Sequence, residues 1–204
     1  MQPEYEFTVD WFTQFWPIWA DLTKGRQIST ALEIGSFEGR STCKMIEHFG
    51  SQNEFHIFCI DTWGGGIEHG RFDMEATEVR FDRNTARAMA AAAHHIEVTK
   101  LKGISSQQLA SLFSLTKRPS FDLVIVDGSH QAPDVLTDLV FSYELTHVGG
   151  LIICDDYLWS MEKHGQQDLL NMPRLAIDAF KTIFARKLRQ FNLPAYQCYF
   201  EKTA

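Results

Sequence analysis

The sequence predicts an α/β protein: a Rossmann-like, doubly wound and mostly parallel seven-stranded sheet that closes with a C-terminal antiparallel hairpin. Three observations carry this expectation. From residue 31 onward, short runs of branched and aromatic residues alternate with segments of helical periodicity, the pattern of right-handed crossovers between parallel strands. Gly35 and Gly39 stand directly after the first of those runs, where such sheets carry a ligand loop. The final run, YQCYFEK, alternates apolar with polar residues after the turn residues Asn192 to Pro194, as a hairpin with one solvated face would.

At the N-terminus Phe7, Trp11, Phe15, Ile18 and Leu22 recur at helical spacing around Pro17. They predict an interrupted helical extension over residues 1–28, used for packing or a homodimer contact in preference to a substrate lid. Residues 29–204 then form the core of a single domain. Its strands are expected at ALEI (31 to 34), FHIFCI (55 to 60), HIEVTKL (95 to 101), FDLVIV (121 to 126) and LIIC (151 to 154). Helices are expected at Arg40 to Phe49, Asn84 to Ala93, Ser106 to Phe113 and Asp134 to Thr146, with another from Arg174 to Ala185 ahead of the hairpin. Residues 62 to 83 read as one long polar, glycine-rich connection, the kind of loop that moves or binds.

Composition narrows the function classes. A chain of 204 residues with 45% hydrophobic and 22% charged residues is ordinary for one globular domain. A formal net charge of −7 lacks the broad basic footprint of nucleic-acid binding, so a small-molecule substrate is expected instead. No apolar stretch approaches the roughly 20 residues needed to span a bilayer, and the start of the chain does not read as a signal peptide. No membrane partner and a cytoplasmic location are therefore expected. Cys43, Cys59, Cys154 and Cys198 form no CxxC pair and read as reduced core residues.

The candidate site residues all fall at carboxyl ends of strands. Gly35, Ser36, Phe37, Gly39 and Ser41 form the loop and helix start after the first strand, where backbone N–H groups are exposed to a ligand. Phe37 occupies the middle position that a GxGxxG dinucleotide loop gives to glycine. Asp61 ends the second strand, 26 residues beyond Gly35, about where a carboxylate takes ribose hydroxyls. Thr62 and Trp63 follow it, and Gly103, Ile104, Ser105 and Ser106 after the third strand are placed to line a nucleobase. Glu33, two residues before Gly35, supplies a carboxylate for the ammonium group of S-adenosylmethionine, which a nicotinamide cofactor lacks.

On the reacting side, Asp127-Gly128-Ser129-His130 ends the fourth strand and Asp155-Asp156 ends the fifth. Three carboxylates on one rim repel one another, so either a cation sits among them or one holds a proton. An all-oxygen set favours magnesium, manganese or calcium over zinc. His130, with an ordinary imidazole near pH 6.5, suits a general base for a hydroxyl. Trp63, Tyr157 and Trp159 are candidates to stack on a sugar or aromatic ring. Arg174 and Asp178 read as surface charges, and His69 and His164 lie in polar loops.

The stretch ALEIGSFEGRST resembles motif I of class I methyltransferases, and Phe37 within it resembles the catechol O-methyltransferase branch. GISSQQL is similar to the adenine-contacting segment of that branch. Asp127 and the Asp155-Asp156 pair, 28 residues apart, resemble its metal ligands. His130 in place of a lysine base, and Asp156 in place of asparagine, look more like the metal-dependent sugar O-methyltransferases of macrolide biosynthesis. The resemblance implies a methyltransferase that uses S-adenosylmethionine and a divalent cation, most simply Mg2+, on a small-molecule hydroxyl acceptor. Asp127, Gly128 and His130 then also contact the cofactor. The chief rivals are a nicotinamide-dependent oxidoreductase, which would want glycine at position 37 and a tyrosine-lysine pair, and a non-catalytic cofactor-binding module, which would show degraded site residues.

Overall fold

Burial on both faces is what turns the apolar runs into strands. The structure, a computed structural model, describes residues 4–115, 120–194 and 196–204. Seven strands form one sheet: β1 (Thr30–Ile34), β2 (Phe55–Asp61), β3 (Ile96–Lys102), β4 (Phe121–Val126), β5 (Thr146–Cys154), β6 (Leu188–Gln190) and β7 (Cys198–Lys202). Their spatial order is β3-β2-β1-β4-β5-β7-β6. The first five are parallel, and β7 runs antiparallel to both β5 and β6. The order reverses between β1 and β4, which is the switch point where such sheets open a ligand crevice.

Alternation along each strand feeds two core layers. Leu32, Ile34, Val124, Val126 and Ile152 pack under α4 (Ser105–Ser114), α5 (Ala132–Leu145) and α6 (Pro173–Ile183), against Leu109, Leu139, Ile177 and Phe180. Ala31, Leu123, Ile125 and Ile153 pack on the opposite face under α1 (Trp16–Thr23), α2 (Arg40–Phe49) and α3 (Met74–Ala91), against Trp19, Met45, Ile46 and Phe81. Each such side chain contributes roughly 1.5–3 kcal/mol by leaving water. All four cysteines are buried and free.

Three elements differ from expectation. Helix α3 begins at Met74 rather than Asn84, because the Asp73 side chain accepts from Ala76 N at 3.0 Å and starts the helix early. The true loop is therefore residues 62–73, with a short helical turn at Ile67–His69. Pro17 lies in the first turn of α1, where its missing N–H is harmless, so it opens the helix instead of interrupting it. Residues 4–12 are not helical. They run as a strap over α2 and α3, held by Glu38, which accepts from Thr8 N at 2.7 Å and Thr8 Oγ1 at 2.8 Å and pairs with Arg80 at 3.1 Å. Asn84 adds reciprocal bonds to the backbone of Glu6 at 2.9 and 3.1 Å. Among the described residues no helix is long and apolar enough to cross a membrane.

Candidate active site

The loop after β1 is shaped by a steric demand. Gly35 has φ +88, and a Cβ there would lie 1.8 Å from the Asp127 carbonyl oxygen, so only glycine lets the β1 and β4 loops meet. Phe37 follows with φ 47 and Gly39 with φ 79; the left-handed Gly39 is the N-cap of α2. Asp61 fixes the loop from the side. Its Oδ2 accepts from Ser36 N at 3.0 Å and Phe37 N at 2.8 Å, and its Oδ1 from Trp63 N at 2.7 Å.

Two cavities open above this floor. One, of about 590 Å³, is lined by Asp61, Thr62, Gly103, Ile104, Ser105, Gly128 and Asp138 among others. The other, of about 410 Å³, is lined by Ser36, Ser41, Asp155 and Trp159, with Trp11, Phe12 and Phe15 from the N-terminal segment. Gly35, Phe37, Asp127, His130 and Asp156 border both. The structure thus gathers most of the expected residues around one double cavity.

Four expected residues sit elsewhere. Trp63 is buried on Phe81 and donates Nε1 to the Phe37 carbonyl at 2.9 Å. It lines neither cavity, because its backbone φ of 44 turns the ring inward, so it is a packing residue of this loop and not a stacking platform. Glu33 shares the face of Ala31 under α2 and is fully buried, accepting from Ser41 Oγ at 2.5 Å and from Thr42 Oγ1. Burial pushes its carboxyl up, and its partner Ser41 lines the smaller cavity. Gly39 also lines neither cavity; a Cβ there would meet Phe81 at 3.0 Å. Tyr157 lies outside both as well, with its hydroxyl donating to Asp178 at 2.9 Å.

On the reacting side, His130 Nε2 meets Asp156 Oδ2 at 2.8 Å. Its ring stacks on Trp159 with centroids 3.9 Å apart and planes 18° apart. Asp156 itself has φ 58, so the strand has ended there and its side chain can share a rim with Asp155. Asp155 Oδ1 accepts from Asp156 N at 2.7 Å and Oδ2 from Gln197 Nε2 at 2.8 Å. Burial, then the neighbouring Asp156, pushes Asp155 up to about 7. Solvent reaches Asp127 through the cavities while protein closes round its other sides. Desolvation first, then Asp155 and Asp156, holds its carboxyl well above the ordinary range.

An uncompensated set of hard oxygen donors is what a divalent cation would neutralise, and in that chemical sense Asp127, Asp155 and Asp156 suit one. As they stand they are not a finished cage: among the described residues no three His, Cys, Asp or Glu side chains are grouped to hold a metal ion, and Asp156 Oδ2 faces His130 instead.

The N-terminal aromatics Trp11 and Phe15, read from the sequence as packing or dimer residues in preference to a lid, line the cavities instead. Trp11 packs with Phe37, His69 and Phe72 at centroid distances of 5.3, 6.2 and 5.7 Å, and Tyr196 stacks on Phe15. These rings wall the smaller cavity. The spacing of Trp11 and Phe15 marks them as apolar packing residues, but what they pack on carries no local signal, since the partners lie far away in sequence.

A family model described as a methyltransferase domain matches residues 32–157. An uncharacterised protein of Acanthamoeba polyphaga mimivirus is 28% identical over 130 residues, which is 63% of this chain and 51% of that protein. The chain therefore spans about half the length of that curated relative. Among solved structures, an O-methyltransferase from Bacillus cereus in complex with SAH aligns with a TM-score of 0.63 at 17% identity, covering 96% of this chain and 84% of its own. The MycE methyltransferase of the mycinamycin biosynthetic pathway, in complex with Mg and SAH, aligns at 0.57 and 18% identity, covering 97% of this chain and 51% of its own. At these identities the likeness is one of fold.

Proposed function

Because the chain belongs to the methyltransferase-domain family, we propose that it transfers a methyl group from S-adenosylmethionine to a hydroxyl of a small molecule, with help from a divalent cation. The observation that carries this reading is the pair of cavities meeting at Gly35, Phe37, Asp127, His130 and Asp156. One is roomy enough for an adenosine and borders Asp61; the other has aromatic walls and borders the carboxylate rim. A donor and an acceptor that fill them would meet at His130.

In this reading the aminoacyl end of the cofactor crosses from the larger cavity past Gly35 and Phe37, which border both, to Ser36 and Ser41 at the edge of the smaller one. Glu33 acts through Ser41, whose hydroxyl it orients. Asp61 takes the ribose: each of its oxygens keeps lone-pair capacity beyond the amides it already binds. Thr62, Gly103, Ile104, Ser105 and Gly128 border the adenine. The cofactor supplies the electrophilic methyl, and a divalent cation held by Asp127, Asp155 and Asp156, such as Mg2+, would lower the pKa of the acceptor hydroxyl. His130 donates Nε2–H to the Asp156 carboxylate, so Nδ1 is the nitrogen that takes the proton, while the stacked Trp159 ring keeps the imidazole from turning. The aromatic walls exclude water and hold the acceptor in line, so the protein contributes mainly alignment and charge placement. The same reading takes the chain as one domain that handles neither nucleic acid nor membrane and works in the cytoplasm, with homodimerisation left to the exposed faces.

Calorimetry with S-adenosylmethionine and with NAD tests the cofactor; binding of NAD alone would overturn the reading. Methyl transfer to sugar and phenolic acceptors, with and without chelator, tests the metal, which is expected to be required. For the base, His130→Ala should lower turnover by roughly 10²-fold while cofactor affinity stays within experimental error. A matching fall in both would make His130 a structural residue.

A further inference from the structure

Gln197 precedes β7 and is 1% exposed, yet it is not an apolar residue. Its Oε1 accepts from Trp19 Nε1 at 2.8 Å and from the Tyr199 hydroxyl at 2.7 Å, while its Nε2 donates to Asp155 Oδ2 at 2.8 Å. An indole N–H can only donate, so the side-chain carbonyl must face Trp19 and the amide must face Asp155. The direction of the whole relay follows: Asp155 Oδ2 is obliged to accept. Its other oxygen, Oδ1, accepts from Asp156 N at 2.7 Å. With both oxygens tethered, the plane of this carboxyl is fixed, whereas among the described residues Asp156 is held by His130 at the cavity rather than by a buried amide.

We propose that Gln197 is a positioning residue for cation binding: it holds Asp155 in the one orientation from which its free lone pairs face the cavity, and Trp19 and Tyr199 hold Gln197. This deepens the metal half of the proposed function and rests on it. Partners behind a ligating carboxylate commonly change metal affinity by roughly 10- to 100-fold when removed. The relay also gives α1 a part in the site, since Trp19 is 178 residues from Gln197 in sequence.

The test is a Mn2+ titration of the full chain followed by electron paramagnetic resonance of the unbound ion, with cofactor binding measured in parallel. Gln197→Met keeps the length of the side chain and removes the donor. It should weaken Mn2+ binding by roughly 10- to 100-fold and leave S-adenosylmethionine affinity unchanged. Trp19→Phe removes only the indole donor, leaves the amide in place, and should weaken Mn2+ binding in the same direction by less. A folded Gln197→Met that binds Mn2+ like the wild type overturns the proposal alone. If that variant does not fold, unchanged Mn2+ binding by Trp19→Phe overturns it. A wild-type chain that binds S-adenosylmethionine but no Mn2+ overturns the metal reading and this proposal together, so the two failures are told apart.

Discussion

Asp61 shows how one carboxylate can bind a ligand loop before any ligand arrives. Its two oxygens take the amides of Ser36, Phe37 and Trp63, which locks the β1 loop to the β2 loop. Gly35 closes the arrangement, since any side chain there would run into the Asp127 carbonyl. Gly35→Ala is expected to strain the backbone at positive φ and push the two loops apart. It should destabilise by more than about 1 kcal/mol, lowering the melting temperature, and should also abolish tight cofactor binding in calorimetry. Wild-type affinity would place the ligand elsewhere. At this scale the sequence located residues that sit at their own strand ends: Asp61, Asp127, His130 and Asp156 all border the double cavity. It was a poor guide where a backbone angle decides direction. Nothing in the letters around Trp63 announces a φ of 44 or the contacts with Phe81 and the Phe37 carbonyl that hold its ring in the core.

At the scale of elements, the strap of residues 4–12 depends on a carboxylate buried at the start of α2. Glu38 is 2% exposed and serves Thr8 N, Thr8 Oγ1 and Arg80. Hydrogen bonds to a charged group contribute roughly 1.5–3 kcal/mol each when buried, so Glu38→Ala should free the strap and leave Arg80 without its carboxylate. The expected outcome is faster proteolysis near the N-terminus and a higher KM for the acceptor. Cofactor affinity should change less, because Phe12 and Phe15 border only the smaller cavity, while Trp11 borders both. Equal protease resistance in variant and wild type would mean the aromatic contacts suffice to hold the strap. Periodicity read Phe7 to Leu22 as a helix or helix pair interrupted at Pro17, yet only Trp16–Thr23 is α-helical. The apolar spacing is real, but upstream of Thr13 it reflects a chain lying in a groove between α2 and α3 rather than one winding on itself.

Across the whole molecule, buried carboxyls give stability an unusual dependence on pH. Asp138 is 1% exposed, and burial first, then Asp134, pushes it up to about 7; Glu33 is raised by burial as well. A carboxyl whose folded value exceeds its unfolded value binds more protons when folded, so stability must fall as pH rises between the two. For Asp138 that window runs from about 3.8 to about 7. Carboxylates held low by cations, such as Glu78 and Glu201, act in the opposite sense but below the ordinary carboxylate range. The melting temperature is therefore expected to decline from pH 5 to pH 8. Asp138→Asn should flatten that decline, by roughly 3 kcal/mol at the alkaline end, with little effect at pH 5. A slope unchanged by the substitution would assign it to other groups.

The seven strands were legible because parallel strands buried on both faces read as nearly continuous apolar runs. Their spatial order was not, since no residue in β6 or β7 states which of them borders β5. That order has a consequence for how the chain is made. Strand β6 is synthesised before β7 but touches the sheet only through it. A nascent chain that has already emitted β6 must leave it waiting, with the edge of β5 uncovered, until Cys198–Lys202 arrives. During that interval the molecule presents an open template for strand pairing. Gln197 arrives with the same segment, so closing the sheet and fixing Asp155 are one late event in the life of the polypeptide.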